Sequence, residues 1–95
     1  MRPSERLNAH REAIRGIVAA HRATKPRVFG SVARGDDDED SDIDILVDPV
    51  GMTLFDLGGI LNELTDLLQV KVDVLTPNAL PAKFRARVLA EAAPI

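Results

Sequence analysis

Residues 30–44 read Gly-Ser-Val-Ala-Arg-Gly-Asp-Asp-Asp-Glu-Asp-Ser-Asp-Ile-Asp. The stretch follows a short apolar run, Val28-Phe29, and ends where a second apolar run begins. Asp42 and Asp44 alternate with Ile43 and Ile45. In a strand, alternate side chains share a face and stand about 6.6 Å apart. Both carboxylates therefore leave one face, while the two isoleucines enter the core behind them. Two aligned carboxylates are costly unless a positive charge lies between them. A divalent metal ion carried in by a nucleoside triphosphate would meet that need.

The chain of 95 residues is enough for one small domain, 1–95, and 45% hydrophobic residues give it a core. It has no cysteine, which excludes disulfides and thiolate metal sites. No apolar stretch approaches the ~20 residues of a membrane span. The N-terminus lacks the apolar centre of a secretory signal. A soluble, cytoplasmic protein with no membrane partner is the expectation. With no Trp or Tyr and three Phe, aromatic platforms for stacking bases are nearly excluded, and no sequence-specific nucleic-acid binding is expected. Charge is segregated. Residues 1–34 carry a net +6, residues 35–73 a net −11 and residues 74–95 a net +2. The acidic middle suits cations, and the basic flanks suit phosphates or an acidic partner.

The pattern predicts an α/β (α+β) domain: a small mixed sheet of about three strands flanked by about four helices. Ser4 can cap a first helix carrying Leu7, Ile14, Ile17 and Val18 on one face, with Lys25-Pro26 ending it. His10 and His21 then fall on one face of that helix, too far apart to share a metal. Arg27 to Phe29 and Asp42 to Asp48 read as strands. Thr53 to Asp56 matches a capping box opening a long helix, with Leu54, Leu57, Leu61, Leu64 and Leu68 as its stripe. Gly58 and Gly59 inside it each cost about 1 kcal/mol relative to Ala, and are expected to allow close approach to the sheet. Val70 to Leu75 is a third strand. A last helix runs from Leu80 to Ala92, with Leu80, Phe84 and Val88 spaced for burial.

Four groups of residues can carry chemistry. Gly30 and Ser31 either cradle phosphate oxygens or form a plain turn with a capping serine. Asp42 and Asp44 are hard oxygen donors that suit Mg²⁺, or else an Asx turn and a solvated acid. Asp73 faces away from Val72 and Val74, and joins the pair if the two strands align their apolar faces. Arg34 either touches phosphate or pairs with the acidic loop. The five acids at 36–40 are expected to be solvated and mutually repelling.

Taken together, these residues resemble the nucleotidyltransferase fold of the DNA polymerase beta superfamily, and more narrowly the minimal nucleotidyltransferases, or MNT-domain proteins. The family pattern is Gly-Ser, about ten residues, Asp-x-Asp, then a third Asp on a later strand. Here it falls on Gly30, Ser31, Asp42, Asp44 and Asp73. The fuller string is present at Phe29 to Gly35 and at Ser41 to Asp44. The departure is the unbroken acidic run at 36–40, where relatives carry a mixed polar loop. The resemblance implies a nucleotidyltransferase with ATP as substrate and two Mg²⁺ ions as cofactor, held by Asp42, Asp44 and Asp73, which are also the catalytic residues. Gly30, Ser31 and Arg34 would bind the phosphates. It also implies the antitoxin half of an MNT/HEPN pair, adenylylating a tyrosine of a HEPN toxin partner in a hetero-oligomer. Two other readings are a non-catalytic antitoxin acting by contact, and nucleotidyl transfer to a small molecule such as an aminoglycoside.

Overall fold

A computed structural model describes all 95 residues, Met1 to Ile95. Helices α1 (Pro3–Ala9) and α2 (Arg11–Ala20) lead into strand β1 (Ala23–Phe29) and the short helix α3 (Gly30–Arg34). The acidic loop then connects to β2 (Ile43–Pro49), followed by helix α4 (Leu54–Leu68) and β3 (Val72–Leu75). A 3-10 turn (Pro77–Ala79), helix α5 (Ala82–Glu91) and a two-residue strand β4 (Ala93–Pro94) complete the chain. The four strands lie in the order β3-β2-β1-β4. β2 is antiparallel to β1 and parallel to β3, and β4 pairs antiparallel with β1. The mixed α/β architecture is the expected one, with one more strand and one more helix than the sequence suggests.

The core lies on one face of this sheet. Ile43, Ile45 and Val47 of β2 are fully buried there with Ile14 of α2 and Ile60 and Leu64 of α4. The opposite face of β2 carries Asp44, Leu46 and Asp48. Leu46 is also fully buried, on the side where the Pro77–Ala79 turn meets β2. Arg27 of β1 holds Asp48 at 3.0 Å.

Several local expectations need correction. The first helix is two helices broken at His10, so His10 and His21 do not share a helix face: each closes one helix. α2 ends at Ala20, and Arg22 takes a left-handed φ of 58°. Pro26 lies inside β1, at the register shift between Thr24 and Arg27, where its missing N–H leaves no ladder bond unmade. The Thr53 cap is as expected, with Asp56 returning its side chain to the Thr53 N–H at 2.9 Å. The stripe of α4 is as expected at Leu64 and Leu68, which are buried, and at Leu57, which packs against the core, but Ile60 is buried in place of Leu61, and Leu54 and Leu61 are exposed. α5 buries no side chain, and Phe84 is exposed. Gly59 faces the His21 ring rather than the sheet, and a Cβ there would come within 2.5 Å of His21 Cε1. His21 also contacts Glu63 through Nε2 and faces Asp56 across 3.9 Å. Gly58 has open space around it.

The acidic loop is not uniformly solvated. Asp37 turns inward, and its side chain is fully buried. It accepts the Ser4 N–H at 2.9 Å and the Arg2 Nη2–H at 2.9 Å. Ser4 therefore does not cap α1. The cap position is Arg2, and Asp37 satisfies the open N–H of the first turn from across the fold. Burial pushes the Asp37 carboxyl up, but the Ser4 and Arg2 bonds outweigh it and hold the group below its ordinary 3.8.

Two outcomes follow from these contacts. Gly58→Ala should stabilise by about 0.5–1 kcal/mol through helix propensity. Gly59→Ala should forfeit that gain because His21 has to leave Glu63; paired urea midpoints read the difference. Asp37→Ala should cost about 1–2 kcal/mol, since a capped N–H and a guanidinium lose their acceptor. Because the folded carboxyl lies lower than the unfolded one, its stabilisation is present above the unfolded value and fades as pH falls through the folded one. Acid titration of the melting temperature should therefore show a loss below about pH 4 in the parent that is smaller in the Asp37→Ala variant.

Candidate functional site

Strand β1 ends at Phe29, and the chain turns at Gly30 into α3. Gly30 has φ +73°, a conformation open to glycine. Its missing side chain also makes room, because a Cβ at this position would stand 2.4 Å from Asp44 Oδ2. The expected close approach at Gly30 is thus first an approach to Asp44. Ser31 is half-buried at the second position of α3, and its carbonyl accepts the Asp36 N–H at 3.1 Å. Gly35, with φ 79°, ends α3 in a left-handed cap.

Asp44 and Asp73 are register partners in the parallel β2–β3 ladder, as are Ile43 with Val72 and Ile45 with Val74. Neighbouring strands lie about 4.8 Å apart, so the two carboxylates rise side by side from one face. Phe29 is the partner of Asp44 on its other side. Asp42 immediately precedes β2, where Lys71 approaches it at 3.6 Å in an exposed pair worth little. Burial, then the charges of Asp73 and Asp42, push the Asp44 carboxyl up to about 6, against the opposing pull of Arg34 and Lys71. The like charge at this spot is not neutralised by the protein's own cations. All-oxygen donors with unrelieved negative charge fit a hard divalent ion. The three carboxylates share a side of the sheet without forming a ready-made set of three ligands. An open groove of about 580 Å³ runs beside Asp73, between β3 and α4, lined also by Asn62, Thr65 and Lys71.

Arg34 sits at the end of α3. It pairs with Asp36 of the acidic loop at 3.3 Å and with Glu91 at the end of α5 at 3.1 Å. The pairing with the acidic loop is one of the two roles expected of Arg34. Glu91 has no sequence signal beyond its charge, and it also accepts the Gly30 N–H at 2.7 Å.

Residues 11–95 match the nucleotidyltransferase domain family. The chain belongs to that family, and to its minimal, MNT-type branch. A Methanocaldococcus jannaschii protein named "Putative protein adenylyltransferase MJ0435" is 39% identical over 87 residues, covering 90% of this chain and 94% of the relative. A solved structure of a "putative minimal nucleotidyltransferase" is 45% identical, with a TM-score of 0.86 over 97% of this chain and 95% of that one. A toxin–antitoxin crystal structure with AMP-PNP shares the fold at 19% identity, with a TM-score of 0.74 over 87% of this chain and 69% of that chain. The chain is therefore a nucleotidyltransferase, and no helix in it is long and apolar enough to cross a membrane.

The closeness of Gly30 and Asp44 can be measured by a double-mutant cycle. Gly30→Ala should destabilise by more than the ~1–2 kcal/mol of left-handed strain alone. In an Asp44→Ala background the excess should vanish and leave only the strain. Asp44→Asn should by itself stabilise the metal-free protein by about 1–2 kcal/mol, because it removes one of three crowded charges. Chemical denaturation in chelator reads all of these.

Proposed function

We propose that the chain moves AMP from ATP to a hydroxyl of a partner protein, with a tyrosine of a HEPN-type toxin as the acceptor. The observation that carries this reading is the side-by-side register of Asp44 and Asp73, with Asp42 beside them and the Gly30–Ser31 turn against Asp44. The relatives named as protein adenylyltransferases favour a protein acceptor. The fold shared with toxin–antitoxin structures favours a toxin as that protein.

In this reading Asp42, Asp44 and Asp73 hold two Mg²⁺ ions, and Gly30, Ser31 and Arg34 take the triphosphate. When bound, the ions lower the charge on the phosphates and steady the departing pyrophosphate. The Gly30 N–H and Ser31 hydroxyl orient the triphosphate against β2. The acceptor enters along the groove beside Asp73, whose carboxylate takes the hydroxyl proton. The acceptor oxygen forms a bond to the α-phosphorus, and the bond from that phosphorus to the β-phosphate bridging oxygen breaks. AMP ends on the acceptor, and pyrophosphate leaves with the electron pair. The chain supplies alignment, and the partner supplies most of the energy that binds the acceptor.

Mixing the chain with ATP, Mg²⁺ and its partner, then weighing the partner, tests this. A mass gain of one AMP is expected, falling by about 10³-fold or more in rate with Asp44→Asn, since removing a ligand carboxylate removes charge stabilisation at the reacting phosphate. Mg²⁺ should raise the melting temperature of the parent and not that of Asp44→Asn. Full neutralisation of the partner by Asp44→Asn, with no mass gain, would assign the effect to contact instead.

A further inference from the structure

Glu91 closes α5, the helix that buries no side chain of its own. Its Oε1 accepts both the Gly30 N–H, at 2.7 Å, and an Arg34 Nη1–H, at 3.1 Å. One carboxylate oxygen thus occupies the two donors assigned above to phosphate. Gly30 in turn lies against Asp44, so one residue is flanked by Asp44 and by the Glu91 carboxylate. Two donors, one of them a guanidinium N–H, converging on one oxygen make a charge-assisted anion contact. A carboxylate oxygen and a phosphate oxygen satisfy such donors in the same way.

We infer that Glu91 is an internal substitute for a nucleotide phosphate, and that the triphosphate binds by displacing it from Gly30 and Arg34. This rests on the reading of Gly30 and Arg34 as phosphate-binding residues. The displacement is a side-chain rotation, not a movement of α5. Two residues further on, Ala93 and Pro94 pair with Val28 and Arg27, and the Ile95 N–H bonds to the Pro26 carbonyl at 3.0 Å. The backbone next to Glu91 is pinned. Its side chain is 21% exposed, so the carboxylate can turn to water without becoming a buried unpaired charge. In the empty protein Glu91 keeps the Gly30 N–H and the Arg34 fork satisfied and oriented. In the loaded protein it is released, and nucleotide affinity is lowered by what that contact was worth. Glu91 is therefore an affinity-setting residue for the nucleotide, positioned by the fold rather than by the motif.

Calorimetric titration of Mg-AMP-PNP into the parent, Glu91→Gln and Glu91→Ala tests this directly. The dissociation constant should fall about threefold in Glu91→Gln and about tenfold in Glu91→Ala, in keeping with one charge-assisted contact no longer competing. The Gly30 amide resonance should shift on either substitution in the free protein, and by less on nucleotide addition to the variants than to the parent. Unchanged or weaker binding by both variants, with the parent still binding, would overturn the inference and leave the phosphate site standing. Failure of all three proteins to bind the nucleotide would remove the phosphate site itself, and the inference with it.

Discussion

The parallel pairing of β2 with β3 is the constraint on which the site depends. It sets Asp44 beside Asp73 and, in the same stroke, Ile43 beside Val72 and Ile45 beside Val74. The apolar residues of that ladder are buried against α2 and α4. A one-residue slip would carry isoleucines to the charged face and aspartates into the core. Hydrophobic burial on one side of the sheet therefore fixes the register that crowds carboxylates on the other. Burial, and then the like charges of Asp73 and Asp42, push the Asp44 carboxyl up and oppose this arrangement. A core of 15 residues offsets it. The crowded carboxylates are thus held together by forces that act on the other face of the sheet.

The turn between β1 and β2 is shaped by both ends of the chain. From the N-terminal side, Arg2 and Ser4 draw Asp37 inward and also tie the Gly35 and Asp37 carbonyls to the Arg2 guanidinium. From the C-terminal side, Glu91 fastens Gly30 and Arg34. Between these anchors the loop orders itself, with Asp38 accepting the Asp40 N–H and the Ser41 hydroxyl supporting the Asp38 N–H. The five acids are chemically alike yet divided in role. One is a buried cap, another pairs with Arg34, and the rest bond within the loop or to the chain's amino terminus. A uniform charge run does not imply a uniform environment, because burial is decided by which donors approach from elsewhere.

Glycine shows the same division on a smaller scale. Gly30 is required by a positive φ and by Asp44, and both demands converge on the spot where substrate phosphate is expected. Gly59 is required by an imidazole from α2, whereas Gly58 beside it faces open space. The residue type says that a side chain is absent, and only the neighbour says why.

Local features are legible in the amino-acid pattern. Alternation at Asp42 to Val47 marked the buried and charged faces of β2, Thr53 marked the start of α4, and the spacing from Gly30 and Ser31 to Asp42 and Asp44 marked the family. These signals survive because each is written within a turn or a strand, where backbone geometry alone relates the residues. Leu57, Leu64 and Leu68 lie on the core side of α4 as their spacing predicts, whereas Ile60 replaces Leu61 there because the exact face a helix buries is set when it docks. Packing sets Asp73 next to Asp44, Asp37 at the start of α1, His21 over Gly59 and Glu91 at Gly30. The bonds of Ser4 to Asp37 and of Gly30 to Glu91 join residues 33 and 61 positions apart. No periodicity encodes such meetings, because they follow from how the helices and strands are stacked, which the burial of the core sets as a whole.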